Sequence, residues 1–381
     1  MKKQPSFHVG LNAHLLSRQS GYRSAGIHNY IQQLIQHLPD ADAHLRMTVL
    51  AGHHRHTASD AVKWRASRWP TERPWARIAW EQLAQPWALY RAGVQLLHAM
   101  AFVSPLMSPV PTVITIHDLS FLRFPDRFRP PQRLYLSTMT RLSCRRARRV
   151  ICVSQATADE TVKLLGIPRA RIDVVPHGVQ HARFCPLPTE QVERFRSVKG
   201  LPQRFILFVG TLEPRKNLTT LVEAFHQSKL FRQGVKLVIA GGKGWYYQQV
   251  FQRVEALNLT DDVIFPGFVP DADLPLWYNT ATLFVYPSIY EGFGMPLLEA
   301  MACGTPVIGS DVSCMPEVVG QAGFLVPPHS PSMLAEHMAR LLTEDDLRME
   351  LGQRGQVRAG AFTWEATARN TVNSYRHALT I

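Results

Sequence analysis

Two glutamates eight positions apart, Glu291 and Glu299, bracket a glycine-bearing loop in the run YEGFGMPLLEAMACGTPV. The apolar residues Leu283 to Tyr286 read as a buried strand that Pro287 stops, and Tyr290 to Gly294 read as a turn. Pro296 suits the first turn of a helix, where a missing N–H costs nothing. Gly304 ends that helix and Pro306 to Gly309 begin another strand. The backbone N–H groups of Phe293, Gly294 and Met295 then lie at a helix N-terminus, which favours an anionic or polar oxygen. Both carboxylates can point toward one crevice. Because a carboxylate accepts hydrogen bonds from hydroxyls, the pair suits a sugar or a ribose. Pattern alone is equally compatible with a surface loop and a capping glutamate.

Two further stretches carry reactive side chains. Arg215 and Lys216 fall in GTLEPRKN, between a strand at Phe205 to Val209 and a helix at Leu218 to Gln227 that Asn217 is placed to cap. Cations at the carboxyl edge of a sheet can neutralise a departing pyrophosphate, although most such pairs are simply solvated. His117 and Asp118 follow the strand Thr112 to Ile116. A histidine there can be a base, a proton shuttle or a hydrogen-bond partner of a sugar hydroxyl; a structural role is the ordinary alternative, and Asp118 equally suits a turn. Gly26 precedes IHNYIQQLIQHL, whose apolar residues recur at helical spacing. A loop rich in Ser, Arg and Gly feeds this helix, so its N-terminus offers either another oxyanion site or an ordinary cap.

The run EGFGMPLLEAMACGTPVIGSD, with Pro316–Glu317 after it, resembles the signature of retaining glycosyltransferases of family 4, which have the GT-B fold. The likeness is strong over residues 205–330 and looser before them. It implies that Glu291 contacts the donor sugar, that Glu299 contacts the nucleotide ribose, and that the backbone from Phe293 through Gly294, Met295, Pro296 and Leu297 cradles the donor. GTLEPRKNL resembles the family's donor-diphosphate loop, which implies catalytic roles for Lys216 and Arg215. Thr211 stands where many members carry a second cation. By the same resemblance His117 lies near the anomeric carbon, and Gly26 helps to bind acceptor or donor phosphate.

Length and charge set the frame. A chain of 381 residues exceeds what one core usually supports, so two domains are expected. Residues 1–185 carry 25 Lys and Arg against 10 Asp and Glu, whereas residues 186–381 carry 17 against 19. The excess positive charge therefore lies in the first half, which points to an anionic partner for that half. Within Lys63 to Tyr90, Trp64, Trp69, Trp75, Trp80 and Trp87 alternate with Arg65, Arg68, Arg73 and Arg77. Tryptophan beside arginine suits a membrane interface, a single-stranded nucleic acid or a partly buried helix; as a set these residues favour an anionic membrane surface over nucleic acid. The nine arginines of residues 123–149 read as a basic rim. Five cysteines without metal spacing read as reduced cytoplasmic thiols, and no stretch has the form of a signal peptide or a membrane span.

The expected architecture is α/β, with two Rossmann-like domains facing each other across a cleft. The expected boundaries are 1–185 for an acceptor domain, 186–203 for a proline-rich linker, 204–360 for a nucleotide-sugar domain, and 361–381 for a helix packing back on the first. The resemblance implies transfer of a hexose to a hydroxyl of a glycan or lipid-linked glycan with retained configuration, GDP-mannose being the expected donor. No Asp-x-Asp motif lies in the loops of the proposed site, so no metal is expected, and no cofactor; the cysteines and the basic first half read as those of a cytoplasmic protein peripheral to the inner membrane face. A nucleotide-sugar epimerase, a sugar-phosphate synthase of the same fold, and a catalytically silent membrane- or nucleic-acid-binding protein are the rival readings.

Overall fold

Short β-branched and aromatic runs, apolar on both faces, form parallel strands that need helices on either side. The computed structural model describes residues 6–16, 25–52, 62–71 and 73–380. The chain divides into two units, one of residues up to Gly178 together with those from Trp364 onward, the other from Val179 to Thr363.

The first unit holds β1 (Phe7–Asn12), β2 (Leu45–Ala51), β3 (Val62–Ala66), β4 (Leu96–Ala99), β5 (Thr112–Ile116), β6 (Arg149–Cys152) and β7 (Ile172–Val174). They pair in the order β3-β2-β1-β4-β5-β6-β7, every pair parallel. The strand order reverses between β1 and β4, and ligands of open parallel sheets bind at the carboxyl ends beside such a point. The C-terminal helix Trp364–Leu379 belongs to this unit, where Trp364, Ala368, Val372 and Tyr375 join the core under β1 and the Ala25–Ala41 helix. A buried relay ties it to the sheet: the Tyr375 hydroxyl meets His98 Nδ1 at 2.8 Å, His98 Nε2 meets the Thr115 hydroxyl at 2.8 Å, and Thr115 meets the Tyr30 hydroxyl at 2.9 Å.

The second unit holds β8 (Phe205–Val209), β9 (Lys236–Ala240), β10 (Val263–Gly267), β11 (Leu283–Tyr286), β12 (Val307–Ser310) and β13 (Phe324–Val326), in the order β10-β9-β8-β11-β12-β13. Its reversal falls between β8 and β11, which pair through Leu283–Ile206 and Phe284–Leu207. The loops after β8 and β9 approach so closely that a Cβ on Gly241 would lie 1.8 Å from the Gly210 carbonyl oxygen.

Three expectations need correction. Residues 186–203 are not simply a linker, because Thr189–Lys199 is a helix whose Phe195 packs edge-on against Trp277 at 5.6 Å; the division falls earlier, after Gly178. The tryptophan–arginine stretch begins with the edge strand β3, whose mixed exposure hides its period. Pro316–Glu317 fall in the short helix Met315–Val319, and three helices follow β13. Asn217 makes no side-chain cap; at φ 57° it turns the chain into the Leu218–Ser228 helix, and its amide donates to the Pro328 carbonyl.

Candidate active site

The two loops that flank the β8/β11 reversal bring Arg215, Lys216 and Glu291 together. After β8 the chain makes a single 3₁₀ turn, Pro214–Lys216, and the Arg215 carbonyl receives the Ile289 N–H at 2.9 Å and the Ser288 hydroxyl at 3.1 Å. These cross-links seat the loop after β11 on the loop after β8. Glu291 Oε1 then accepts from Lys216 Nζ at 2.6 Å, Ser288 Oγ at 2.6 Å and the Tyr286 hydroxyl at 3.2 Å. Its other oxygen accepts from an Arg215 terminal nitrogen at 3.2 Å, while Arg215 Nε binds Glu213 at 2.9 Å. Lys216 also donates to the Tyr286 hydroxyl.

This cluster is nearly dry, Lys216 being 7% and Glu291 9% exposed. Burial by itself would push the Glu291 carboxyl up, but Arg215 and then Lys216 outweigh it and hold the group at about 2. Burial draws Lys216 below its ordinary value, with Glu291 the foremost group opposing that. Two cations and two carboxylates balance one another. Arg215 remains partly solvent-exposed, so an arriving oxyanion can reach it.

Glu299 lies one turn into the Met295–Ala302 helix, where its Oε2 accepts from the Tyr278 hydroxyl at 2.9 Å. Burial raises its carboxyl to about 7, the Tyr278 bond pulling the other way. The helix follows Gly294, whose φ of 89° suits glycine, and Met295 rather than Pro296 is its first residue. Phe293 is buried against Phe362, whereas Met295, Pro296 and Thr211 keep part of their surface in solvent. Leu297 offers nothing to a ligand: its side chain is fully buried and its N–H donates to the Gly294 carbonyl.

In the first unit His117 is buried at the end of β5, its Nε2 2.9 Å from the Met100 carbonyl. A carbonyl only accepts, so Nε2 carries the proton and Nδ1 is left as an acceptor. Burial lowers the ring below its ordinary value and keeps it neutral. The His177 ring stacks on it at 5.6 Å, and Tyr30 meets it edge-on at 4.8 Å. Asp118 takes the turn role, accepting the Ser120 N–H at 2.9 Å. Gly26 sits exposed in the first turn of the Ala25–Ala41 helix, and the loop before it, residues 17–24, lies outside the described residues.

Sequence reasoning missed Tyr286, Ser288 and Glu213 around Glu291, and Tyr278 beside Glu299. Ser288, three residues before Glu291, and Glu213, two before Arg215, were within reach of local spacing. Tyr278 carried no signal.

Comparison with known proteins defines the class. Residues 189–358 match the family model of glycosyl transferases group 1, and residues 24–183 match that of glycosyltransferase family 4. The chain is 33% identical over 294 residues to O-antigen chain mannosyltransferase B of Escherichia coli, covering 77% of each. It is 29% identical over 276 residues to serotype-specific mannosyltransferase WbdA of the same organism, 71% of this chain but 34% of that longer one. Among solved structures, Anabaena HepE in complex with UDP and glucose superposes with a TM-score of 0.74 at 19% identity, covering 97% of this chain and 99% of the other. Two doubly wound parallel-sheet units are the mark of GT-B glycosyltransferases. The chain belongs to glycosyltransferase family 4.

Proposed function

We propose that the protein transfers a mannosyl residue from GDP-mannose to a hydroxyl of a lipid-linked glycan, with retention of configuration. The observation that carries this reading is the Lys216–Glu291–Arg215 cluster beside the β8/β11 reversal, in a chain of a glycosyltransferase family. Its mannosyltransferase relatives favour mannose, and the nucleotide in the HepE structure favours a nucleotide-sugar donor.

In this reading Lys216 and Arg215 stabilise charge that develops on the diphosphate as the anomeric C–O bond breaks. Glu291 holds the two cations in place. A carboxyl held near 2 is a weak base, and its engaged oxygens make it a poor nucleophile. The leaving phosphate oxygen is therefore the group that takes the acceptor's proton, as the acceptor oxygen bonds to the anomeric carbon on the same face. Glu299 accepts from the ribose hydroxyls, and the Phe293–Met295 backbone meets the donor. No metal enters the scheme.

A membrane-facing surface accompanies this activity. Trp69, Trp75, Leu83, Trp87 and Tyr90 are exposed, with Lys63, Arg65, Arg68, Arg73 and Arg91 exposed among them. Arg91 lies over the Trp87 ring at 4.0 Å. Indole and guanidinium together suit the headgroup region of an anionic bilayer. Two of the five tryptophans do not contribute: Trp80 is buried against His14, and Trp64 packs on the core. In this reading the attachment is peripheral, at the cytoplasmic face; among the described residues no helix is long and apolar enough to cross a membrane.

The test is calorimetry with GDP-mannose, UDP-glucose, UDP-GlcNAc and the free diphosphates, with Glu299→Ala as control, followed by NMR assignment of the product anomer. Tight binding of GDP-mannose that weakens in the variant, with an α-linked product, supports the reading. Binding that ignores Glu299→Ala, or a preference for a uridine donor, overturns the corresponding part.

A further inference from the structure

The carboxyl-edge loops of the second sheet hold little positive charge that is free for a ligand. Arg215 and Lys216, after β8, are already engaged by Glu213 and Glu291. After β10, Asp271 is held by Arg183 and Asp273 by Lys199. Both phosphates of a nucleotide sugar are ionised, and the leaving diphosphate gains further charge as the anomeric C–O bond breaks. A cluster of balanced charges offsets that poorly. Among the described residues, the strand-to-helix loops of this sheet carry one other lysine or arginine, Lys243 in GGKGW after β9. Lys243 is exposed, and no carboxylate pairs with it among the described residues.

The backbone ties this lysine to the donor loop. Leu212 and Lys243 form a parallel bridge, in which the Leu212 N–H donates to the Gly242 carbonyl at 2.9 Å and the Gly244 N–H donates to the Leu212 carbonyl at 3.1 Å. The approach needs glycine, since a Cβ on Gly244 would lie 2.7 Å from the Leu212 carbonyl oxygen and 2.8 Å from Thr211 Cγ2. The Lys243 backbone therefore lies about one strand spacing, ~4.8 Å, from the loop that carries Arg215 and Lys216. A flexible lysine stem covers such a span.

The side chain rests on aromatic rings instead of an acid. Lys243 Nζ lies 5.2 Å from the Tyr247 ring centroid and 5.8 Å from that of Phe251, and Phe251 is stacked on Phe265 at 4.3 Å. A ring face attracts an ammonium without cancelling its charge, whereas a carboxylate would cancel it. We propose that Lys243 is the counter-charge of the donor's diphosphate: its ammonium leaves the two rings and binds phosphate oxygens on the β9 side of the Lys216–Glu291–Arg215 cluster. It brings the net positive charge that the cluster lacks, and its contact strengthens as charge grows on the leaving group. The proposal rests on the donor being a diphosphate, as argued above, and adds a donor-binding residue to that reading.

The test is calorimetry on the full chain with inorganic pyrophosphate, GDP and GDP-mannose, with thermal unfolding alongside. Lys243→Met keeps the apolar stem and removes the charge. It is expected to weaken pyrophosphate and GDP alike by about ten- to a hundredfold, the range for one charge-assisted hydrogen bond lost, with little change in Tm. Lys243→Arg, which keeps the charge, is expected to bind both close to wild type. A role confined to steadying the loop through Tyr247 and Phe251 predicts the reverse: Lys243→Met lowers Tm and leaves both affinities as they were. That result, or a loss in Lys243→Arg as large as in Lys243→Met, overturns the assignment. If pyrophosphate and GDP weaken in Lys243→Met while the wild-type chain does not bind GDP-mannose, the role of the lysine stands and the mannose donor fails. If GDP-mannose binds Lys243→Met as tightly as wild type, the donor reading stands and Lys243 falls. A wild-type chain that binds neither pyrophosphate nor GDP overturns both.

Discussion

Replacing Glu291 by glutamine removes one charge and almost no volume, which isolates the electrostatics of the donor cluster. The carboxyl drops from an ordinary 4.5 to about 2 on folding. At roughly 1.4 kcal/mol per tenfold change in proton affinity, that corresponds to ~3 kcal/mol favouring the folded, ionised state. Breaking a buried pair from one side costs a similar ~3–5 kcal/mol, because the partner charge stays buried. Lys216 is that partner; Arg215 keeps Glu213. Glu291→Gln should therefore lose ~3 kcal/mol in urea unfolding with an unchanged m-value, or about 6–12 °C in Tm for a unit of this size. The sign with pH follows. A depressed carboxyl contributes stability that is full above 4.5 and lost as pH falls toward 2, so the gap between wild type and variant should close across that window. A cycle with Lys216→Met should show coupling of ~2 kcal/mol or more. A loss under ~1 kcal/mol, or a gap that does not change between pH 5 and pH 2.5, would refute the argument that the cluster is a tightly paired, dry site.

Glu299, raised to about 7, is protonated below that value, so GDP-mannose affinity should rise between pH 6 and pH 8 as the carboxylate gains its capacity to accept two ribose hydroxyls; its effect on stability runs the other way, favouring the fold below 4.5 and fading as pH rises through 7. Tyr278→Phe removes the bond that holds this carboxyl down and should move the affinity curve to higher pH, measured by calorimetry at fixed ionic strength. Trp75→Ser with Trp87→Ser should reduce sedimentation with vesicles of phosphatidylethanolamine and phosphatidylglycerol by about tenfold or more, while donor affinity in solution is retained; undiminished sedimentation would remove the aromatic face from the account. Gly241→Ala drives a methyl into the Gly210 carbonyl and should cost more than ~2 kcal/mol, read by thermal unfolding, because backbone on both sides must move.

Much of the second unit was legible in advance. Apolar runs bounded by glycine and proline give β8 and β11 to the residue, because a strand buried on both faces leaves a short continuous hydrophobic stretch and little else. The same rule fails where burial is one-sided or brief. β3, with one buried and four exposed or partly exposed residues, has no period to read, and the five-residue helix at Met315 is too short to declare one. The helix Thr189–Lys199 buries only Phe195 and was hidden among prolines.

The sequence by itself singled out the candidate residues: two glutamates at a spacing of eight, an Arg–Lys pair in a strand-to-helix loop, and a histidine at a strand end. Residue type and local spacing suffice for that, since each loop follows its own strand. Only the tertiary structure decided who meets whom. β8 lies beside β11 rather than β10, and that reversal brings Lys216 within 2.6 Å of Glu291 across 75 residues of chain. Tyr278 on Glu299 and His177 on His117 are likewise products of strand order and helix winding. Contacts between distant segments leave no period in either, which is why burial can be read along a chain and partnership cannot.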